Sequence, residues 1–155
     1  MASMLDLFDE LRGVVTRLDE VGVPYALCGG LAMAVHGLPR ATVDIDLLAL
    51  AEDFARIEEA IRPLGVCAPR SADDVSRRRG RDQALVEDPA TGQFLSLDVL
   101  LVTPETTEAS NTRQEMEWEF GRLTVVSREG LIALKSLRGS GRDRDDIDQL
   151  LGKTE

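Results

Sequence analysis

A helical repeat of apolar residues opens the chain and predicts an amphipathic helix from about Ser3 to Glu20. Its apolar positions are Met4, Leu5, Phe8, Leu11, Val15 and Leu18. Two short and almost wholly apolar runs follow, Pro24 to Cys28 and Thr42 to Leu50, and both are typical of buried strands. A short helix is predicted between them, from Leu31 to His36, and Glu52 to Ile61 has the spacing of a further amphipathic helix.

The middle of the chain predicts a pair of strands, Gln83 to Glu87 and Gln93 to Val102, joined by a hairpin at residues 88–92. Residues 71–82 are polar and rich in arginine, and they have no periodicity, which indicates a loop. The segment from Pro104 to Trp118 fits no single pattern.

The last third of the chain predicts a short strand, Leu123 to Val126, and then a helix that Ser127 caps and that ends near Arg138. A last short helix is predicted from Asp143 to Leu151. Strands and helices are therefore mixed, with helices at both ends, and no repeat or linker divides the chain. This order favours one α/β (α+β) domain over residues 1–155, with a small mixed sheet flanked by helices.

The composition is that of an ordinary soluble domain. The chain has 155 residues, of which 43% are hydrophobic and 30% are charged. No apolar run is long enough to cross a membrane, and the acidic, amphipathic start is unlike a secretory signal. Cys28 lies in an apolar run and has the pattern of a small buried residue, so it makes a weak case for a disulfide with Cys67. We expect a cytoplasmic protein.

Charge and histidine content exclude several kinds of site. The formal net charge of −10 argues against broad, non-specific binding to nucleic acid, and the arginine run at residues 77–81 is more typical of a solvated loop. His36 is the only histidine, so a zinc site with several imidazoles is excluded. Its place before Gly37 predicts a packing or hydrogen-bonding role.

Two carboxylates on the second predicted strand are the strongest sign of chemistry. Asp44 and Asp46 are two residues apart, so their side chains share one face of the strand. Neighbouring carboxylates in an apolar strand are costly unless a cation lies between them. Asp98 is a third carboxylate, on another apolar strand, and oxygen ligands of this kind select Mg²⁺ or Mn²⁺.

A glycine pair precedes this acidic strand. Gly29 and Gly30 follow the first predicted strand and open a helix, where backbone N–H groups attract anions and glycine lets a phosphate come close. Taken alone, the pair is more typical of a tight turn. Arg40 lies four residues before Asp44, so it either reaches a phosphate or neutralises the acidic cluster.

Together these residues resemble the nucleotidyltransferase superfamily that includes DNA polymerase beta. The segment GGLAMAVHGLPRATVDIDLL, with thirteen residues between Gly30 and Asp44, is most similar to the small bacterial nucleotidyltransferases of the AbiEii/AbiGii toxin type. The tail LIALKSLRGSGRDRDDIDQL resembles that family's lysine followed by an Arg-Asp-x-x-Asp-Ile signature. Its members here are Lys135, Arg142, Asp143, Asp146 and Ile147.

The resemblance implies metal-dependent transfer of a nucleotidyl group from an NTP. Asp44 and Asp46 would bridge two Mg²⁺ or Mn²⁺ ions, and Asp98 would bind the catalytic metal and orient or deprotonate the acceptor hydroxyl. The nucleotide-binding set would contain Gly29, Gly30, Arg40, Thr42 and Lys135. Asp143 and Asp146 are one helical turn apart, and they either fix Lys135 or Arg142, touch the acceptor, or form a solvated helix face.

The resemblance leaves the acceptor open between a tRNA, a protein hydroxyl and a small molecule, and it implies an antitoxin as a partner. Many superfamily members have a serine where this chain has Gly30, and longer toxin-type relatives have an extra helical domain. These departures favour an alternative, a non-catalytic nucleotide- or partner-binding module of a toxin–antitoxin system.

Overall fold

The computed structural model describes residues 4–38, 44–62, 66–67, 81–87, 94–139 and 141–152. Its helices are α1 (Met4–Val21), α2 (Gly29–Val35), α3 (Phe54–Ile61), α4 (Thr107–Asn111), α5 (Arg128–Arg138) and α6 (Gly141–Leu150). Its strands are β1 (Ala26–Cys28), β2 (Asp44–Ala49), β3 (Val66–Cys67), β4 (Arg81–Glu87), β5 (Phe94–Leu101), β6 (Gln114–Trp118) and β7 (Gly121–Val125). A turn of 3₁₀ helix, Ala51–Asp53, leads into α3.

The strands of the described residues form one mixed sheet in the order β3-β4-β5-β2-β1-β7-β6. Two pairs are parallel, β2 with β5 and β1 with β7. The other neighbouring pairs are antiparallel. The predicted class, a mixed sheet flanked by helices, is therefore confirmed. The acidic strand β2 lies inside the sheet between β1 and β5, which explains why its sequence is apolar on both sides of the aspartates.

The core forms where α1 and the central strands meet the other helices. Leu11 and Leu18 are fully buried on the apolar stripe that the sequence predicts for α1, and Ile45 and Leu47 are fully buried on β2. Each such side chain contributes roughly 1.5–3 kcal/mol when it leaves water. Cys28 is 2% exposed in this core, in agreement with its predicted role as a small buried residue.

The structure adds elements that the sequence pattern does not predict. They are β3, and the α4 and β6 that occupy the segment of unassigned pattern. β6 is an edge strand whose side chains are mostly exposed, so it lacks the continuous apolar run of β2. Trp118 is half-buried and stacks edge-on with Phe8 and Phe120 at centroid distances of 5.9 and 5.0 Å.

Two predicted loops fall outside the described residues. Residues 71–80 of the predicted arginine-rich loop are one, and the hairpin turn at 88–92 is the other. The prediction of a loop at residues 81–82 is wrong, because both residues pair with β5 at the start of β4. β4 and β5 pair antiparallel, with Glu87 opposite Phe94. Within the described part of the chain, no helix is both long and apolar enough to span a membrane.

Candidate active site

Asp46 and Asp98 lie side by side in the sheet. They are Cα partners in the parallel register of β2 and β5, which places two carboxylates on adjacent strands at one level. The side chain of Asp46 is half-buried, and Asp98 is 7% exposed. The register therefore joins two of the carboxylates that the sequence singles out, although β2 and β5 are about fifty residues apart in the chain.

Asp44 lies two residues before Asp46 on β2, opposite Ser96 of β5, and is half-buried. Alternation along the strand gives it the same face as Asp46, as the sequence predicts. Among the described side chains, no group of three His, Cys, Asp or Glu residues is arranged to hold a metal ion. The aspartates thus share one part of the sheet, and Asp46 with Asp98 is the pair that the register brings directly together.

Gly29 brings the backbone of α2 against this pair. β1 is antiparallel to β2, with Cys28 opposite Asp46, so the next residue, Gly29, turns over the Asp46 carboxylate. Its φ is +71°, and a Cβ added there would lie 2.8 Å from Asp46 Cγ. Only glycine meets both conditions, because other residues rarely adopt this φ and their Cβ would collide with the carboxylate. The first glycine of the predicted phosphate turn therefore lets the Asp46 carboxylate pack directly against the backbone of α2.

Lys135 lies on α5, and it is buried. Its side chain is 8% exposed, and its Nζ donates a hydrogen bond of 2.8 Å to Asp146 Oδ2. A second carboxylate oxygen, Asp143 Oδ1, is 3.9 Å away. Asp143 and Asp146 are 1% and 4% exposed, so the two carboxylates of α6 close on the lysine of α5 inside the protein.

This burial bears on two of the roles that the sequence leaves open for Asp143 and Asp146. Both contact Lys135, and a solvated helix face is excluded, while contacts with Arg142 or with an acceptor stay predictions. Spacing along α6 indicates only that they share a side, because α6 has few apolar residues to mark a buried stripe. The depth of their burial comes from the packing of α6 on α5, which the local sequence does not reveal.

Ser127 begins α5 as predicted. Its Oγ accepts a hydrogen bond of 3.0 Å from the N–H of Gly130, and Gly139 ends the helix in the left-handed conformation at φ +67°. His36, expected to pack or to form a hydrogen bond, has its Nε2 2.8 Å from the carbonyl oxygen of Val126. Arg40 and Thr42 lie outside the described residues, so their nucleotide-binding roles stay predictions.

Solved structures with the same fold are nucleotidyltransferases. TM1012, a nucleotidyltransferase candidate from Thermotoga maritima, has a TM-score of 0.66 at 15% identity, over 99% of this chain and 97% of that chain. ANT(2")-Ia, solved in complex with adenylyl-2"-tobramycin, has a TM-score of 0.65 at 17% identity, over 94% of this chain and 87% of that chain. The lincosamide antibiotic adenylyltransferase LnuA, bound to lincomycin, has a TM-score of 0.61 at 18% identity, over 94% and 97%.

At these identities the likeness shows a common fold and no more. No curated protein sequence matches the chain significantly. The family comparison reaches further, because the model described as "Nucleotidyl transferase AbiEii toxin, Type IV TA system" matches residues 16–148. That range contains Gly29, Asp46, Asp98 and Lys135. The chain belongs to the AbiEii nucleotidyl transferase family.

Proposed function

We propose that this protein transfers a nucleotidyl group from an NTP to a hydroxyl or phosphate acceptor and that the reaction depends on Mg²⁺ or Mn²⁺. The observation that carries the proposal is the register of Asp46 beside Asp98, with the side-chain-free backbone of Gly29 against the Asp46 carboxylate. Membership of the nucleotidyl transferase family supplies the reaction class.

The donor set fits a hard divalent cation. Asp44, Asp46 and Asp98 offer only carboxylate oxygens, which suit Mg²⁺ and Mn²⁺ and do not suit zinc. Asp46 and Asp98 are already neighbours across the sheet, and Asp44 is on the same face of β2. These residues would hold the metal, which when bound neutralises phosphate charge and favours in-line displacement at phosphorus.

Asp98 is the residue that we assign to the acceptor. In the transfer, an acceptor oxygen attacks the α-phosphorus, the bond to the bridging oxygen of the β-phosphate breaks, and pyrophosphate leaves. A hydroxyl acceptor gives its proton to the Asp98 carboxylate, whereas a phosphate acceptor is already ionised. Asp98 is 7% exposed, and packing of this kind fixes the direction from which a carboxylate can accept a proton.

The triphosphate would lie on the Gly29–Gly30 side of the pair. Glycine lets the phosphate oxygens approach backbone N–H groups, and Gly29 adds no side chain beside the Asp46 carboxylate. Lys135 would offset triphosphate charge, with Arg40 and Thr42 as further contacts. Because Asp146 already accepts a hydrogen bond from Lys135, the ammonium has to be shared between this carboxylate and the nucleotide.

The acceptor classes are a tRNA, a protein hydroxyl and a small molecule. The fold neighbours ANT(2")-Ia and LnuA are named with small antibiotic ligands, and a net charge of −10 suits a cationic small molecule. The family description places its members in toxin–antitoxin systems, which favours a cytoplasmic protein with an antitoxin partner.

Two isotopic labels test the proposal directly. The protein is incubated with each NTP in turn, labelled at the α- or the γ-phosphate, together with total tRNA, a protein extract or a panel of aminoglycosides, and with Mg²⁺, Mn²⁺ or EDTA. We expect label from the α-phosphate in the acceptor, release of the γ-label as pyrophosphate, and no transfer in EDTA. Release of the γ-label as inorganic phosphate would contradict the proposal, and so would tight NTP binding without transfer, which indicates a binding module.

A further inference from the structure

His36 joins the two parts of the molecule that carry the proposed phosphate-binding residues. Its Nε2 is 2.8 Å from the carbonyl oxygen of Val126, ninety residues later in the chain. A carbonyl oxygen can only accept, so the imidazole donates and its Nε2 carries the proton. The predicted hydrogen-bonding role of this single histidine is therefore confirmed. The bond connects the C-terminal end of α2 to the backbone of Val126.

Val126 is the link between β7 and α5. It is fully buried, and its N–H donates to the carbonyl oxygen of Leu27 in β1 at 3.0 Å. Its carbonyl oxygen accepts from His36. Both backbone polar groups of Val126 are thus bound by the β1–α2 unit, and the next residue, Ser127, caps α5. The start of α5 is consequently held from two sides.

The backbone of His36 forms part of the hydrogen-bonded C-terminal end of α2. The N–H of His36 donates to Ala32, and the N–H groups that follow, from Gly37 and Leu38, donate to Ala34 and Met33 at 3.0 and 2.9 Å. Gly37 has φ +87°, as this type of helix end requires. The other end of α2 is Gly29, which lies against Asp46, while α5 carries Lys135.

We propose that His36 is a positioning residue, which sets α2 with its glycine turn relative to α5 with Lys135 so that both reach the same triphosphate. This inference rests on the proposed function. His36 does not touch the nucleotide in this role. It acts through the backbone of Val126, and its loss lets the two phosphate-binding elements move apart without removing either of them.

The test compares three variants by calorimetry with Mn²⁺ and an NTP, and by KM and kcat. His36→Leu removes the donor and keeps much of the volume, whereas His36→Gln returns an N–H close to the position of Nε2. Ser127→Ala is the matched control, because it weakens the start of α5 without touching the His36 bond. We expect His36→Leu to raise the NTP Kd and KM about tenfold, with a smaller change in kcat, and His36→Gln to stay within about threefold of wild type.

The control separates positioning from stability. Ser127→Ala should lower the melting temperature by an amount similar to His36→Leu and leave the NTP affinity within about twofold. The proposal is overturned if His36→Leu binds the NTP like wild type, or if His36→Gln is as impaired as His36→Leu. A wild-type protein that binds no NTP overturns the proposed function instead. The amide NMR shifts of Gly29, Gly30 and Lys135 then still decide the coupling, since they should move in His36→Leu and not in Ser127→Ala.

Discussion

Two pairs of aspartates in this protein have opposite surroundings. We call Asp46 and Asp98 the strand carboxylates and Asp143 and Asp146 the helix carboxylates. Beside the helix carboxylates the chain places a lysine, whose Nζ is 2.8 Å from Asp146 Oδ2. Beside Asp46 it places Gly29, which has no side chain and could not carry one there. The helix carboxylates therefore face a side-chain cation, whereas the Asp46 carboxylate packs against a backbone position that carries no side chain.

We expect this difference to separate structural carboxylates from the proposed metal ligands. A buried ion pair with both partners present holds two helices in place, and removing one partner leaves a buried charge. If the strand carboxylates serve as metal ligands, their loss should cost activity more than folding. The predictions that follow test this separation from each side.

The largest effect is expected at the strand carboxylates. Asp46→Asn and Asp98→Asn should lower NTP turnover at least about a thousandfold, or about 4 kcal/mol in the barrier, because each removes a proposed metal ligand. The same should hold for Asp44→Asn. Melting temperatures should stay the same or rise, since negative charge leaves the cluster.

The exposed Asp145→Asn on α6 is the control for these variants, and it should keep full turnover. Turnover by continuous pyrophosphate release and melting by circular dichroism give the two readouts. A large fall in melting temperature in the strand variants would make the strand carboxylates structural and remove the contrast with α6.

The helix carboxylates should respond in the opposite way. Lys135→Met is expected to lower the free energy of unfolding by about 3 kcal/mol, because it leaves Asp146 buried without its lysine. Urea unfolding measures this loss, and Lys135→Met combined with Asp146→Leu should recover part of it. NTP affinity, measured separately on the folded variant, should fall by roughly 1–3 kcal/mol if the ammonium also meets phosphate. An unchanged NTP affinity would show that Lys135 stabilises the fold and does not contact the nucleotide.

Two glycines with nearly the same φ test how closely the Asp46 carboxylate packs against the backbone. Gly22 has φ +69° and nothing within 4 Å of an added Cβ, whereas Gly29 has φ +71° and the Asp46 carboxylate in the way. Gly22→Ala should cost about 1 kcal/mol of unfolding free energy for its backbone alone. Gly29→Ala should cost about 2 kcal/mol more, from the collision, and should abolish turnover. Equal losses of unfolding free energy in the two variants would show that the Asp46 side chain moves aside freely. Its close packing against Gly29 would then not be required.

Tyr25 is also a buried polar residue, but its phenol is neutral, unlike the strand carboxylates and the helix carboxylates, and so it needs no cation. Burial, together with the negative charge of Asp19, raises the pKa of Tyr25 to about 12. It is the only tyrosine, so the ultraviolet absorbance of its phenolate reports this group alone. Because the folded state holds the proton more tightly than the unfolded state, the contribution of Tyr25 to the free energy of unfolding should be constant below pH 10 and fall from pH 10 to about 12. In Tyr25→Phe that part of the fall should disappear, and ionisation near pH 10 in the folded protein would contradict the shift.

The sequence predicts those features of the fold that depend on local pattern. The apolar stripe of α1, the apolar runs of β2 and β5, and the Ser127 cap are each determined by neighbours within one or two turns. β6 is missed because an exposed edge strand needs no apolar alternation. β3 is two residues long, too short for any pattern to show.

The candidate site, like the fold, could be predicted from the sequence only where local pattern determines it. Residue types and spacing identify Asp44, Asp46 and Asp98 as carboxylates out of place in apolar strands. The level at which Asp46 meets Asp98 depends on a parallel pairing between distant strands, which periodicity does not contain. The helix carboxylates show the reverse case, since the charged sequence of α6 is typical of a solvated surface, whereas a lysine of another helix, α5, compensates their burial.

The position of β1 in the sheet has a consequence for how the protein is made. β1 lies between β2, which follows it closely, and β7, whose Val125 pairs with Leu27 about a hundred residues later in the chain. During synthesis β2, β4 and β5 can assemble early, but one edge of β1 stays open until β7 leaves the ribosome. Val126 and α5 follow directly after β7, so Lys135 is the last of the proposed nucleotide-binding residues to be synthesised. The strand carboxylates of the nascent chain are therefore present well before the proposed site can be complete.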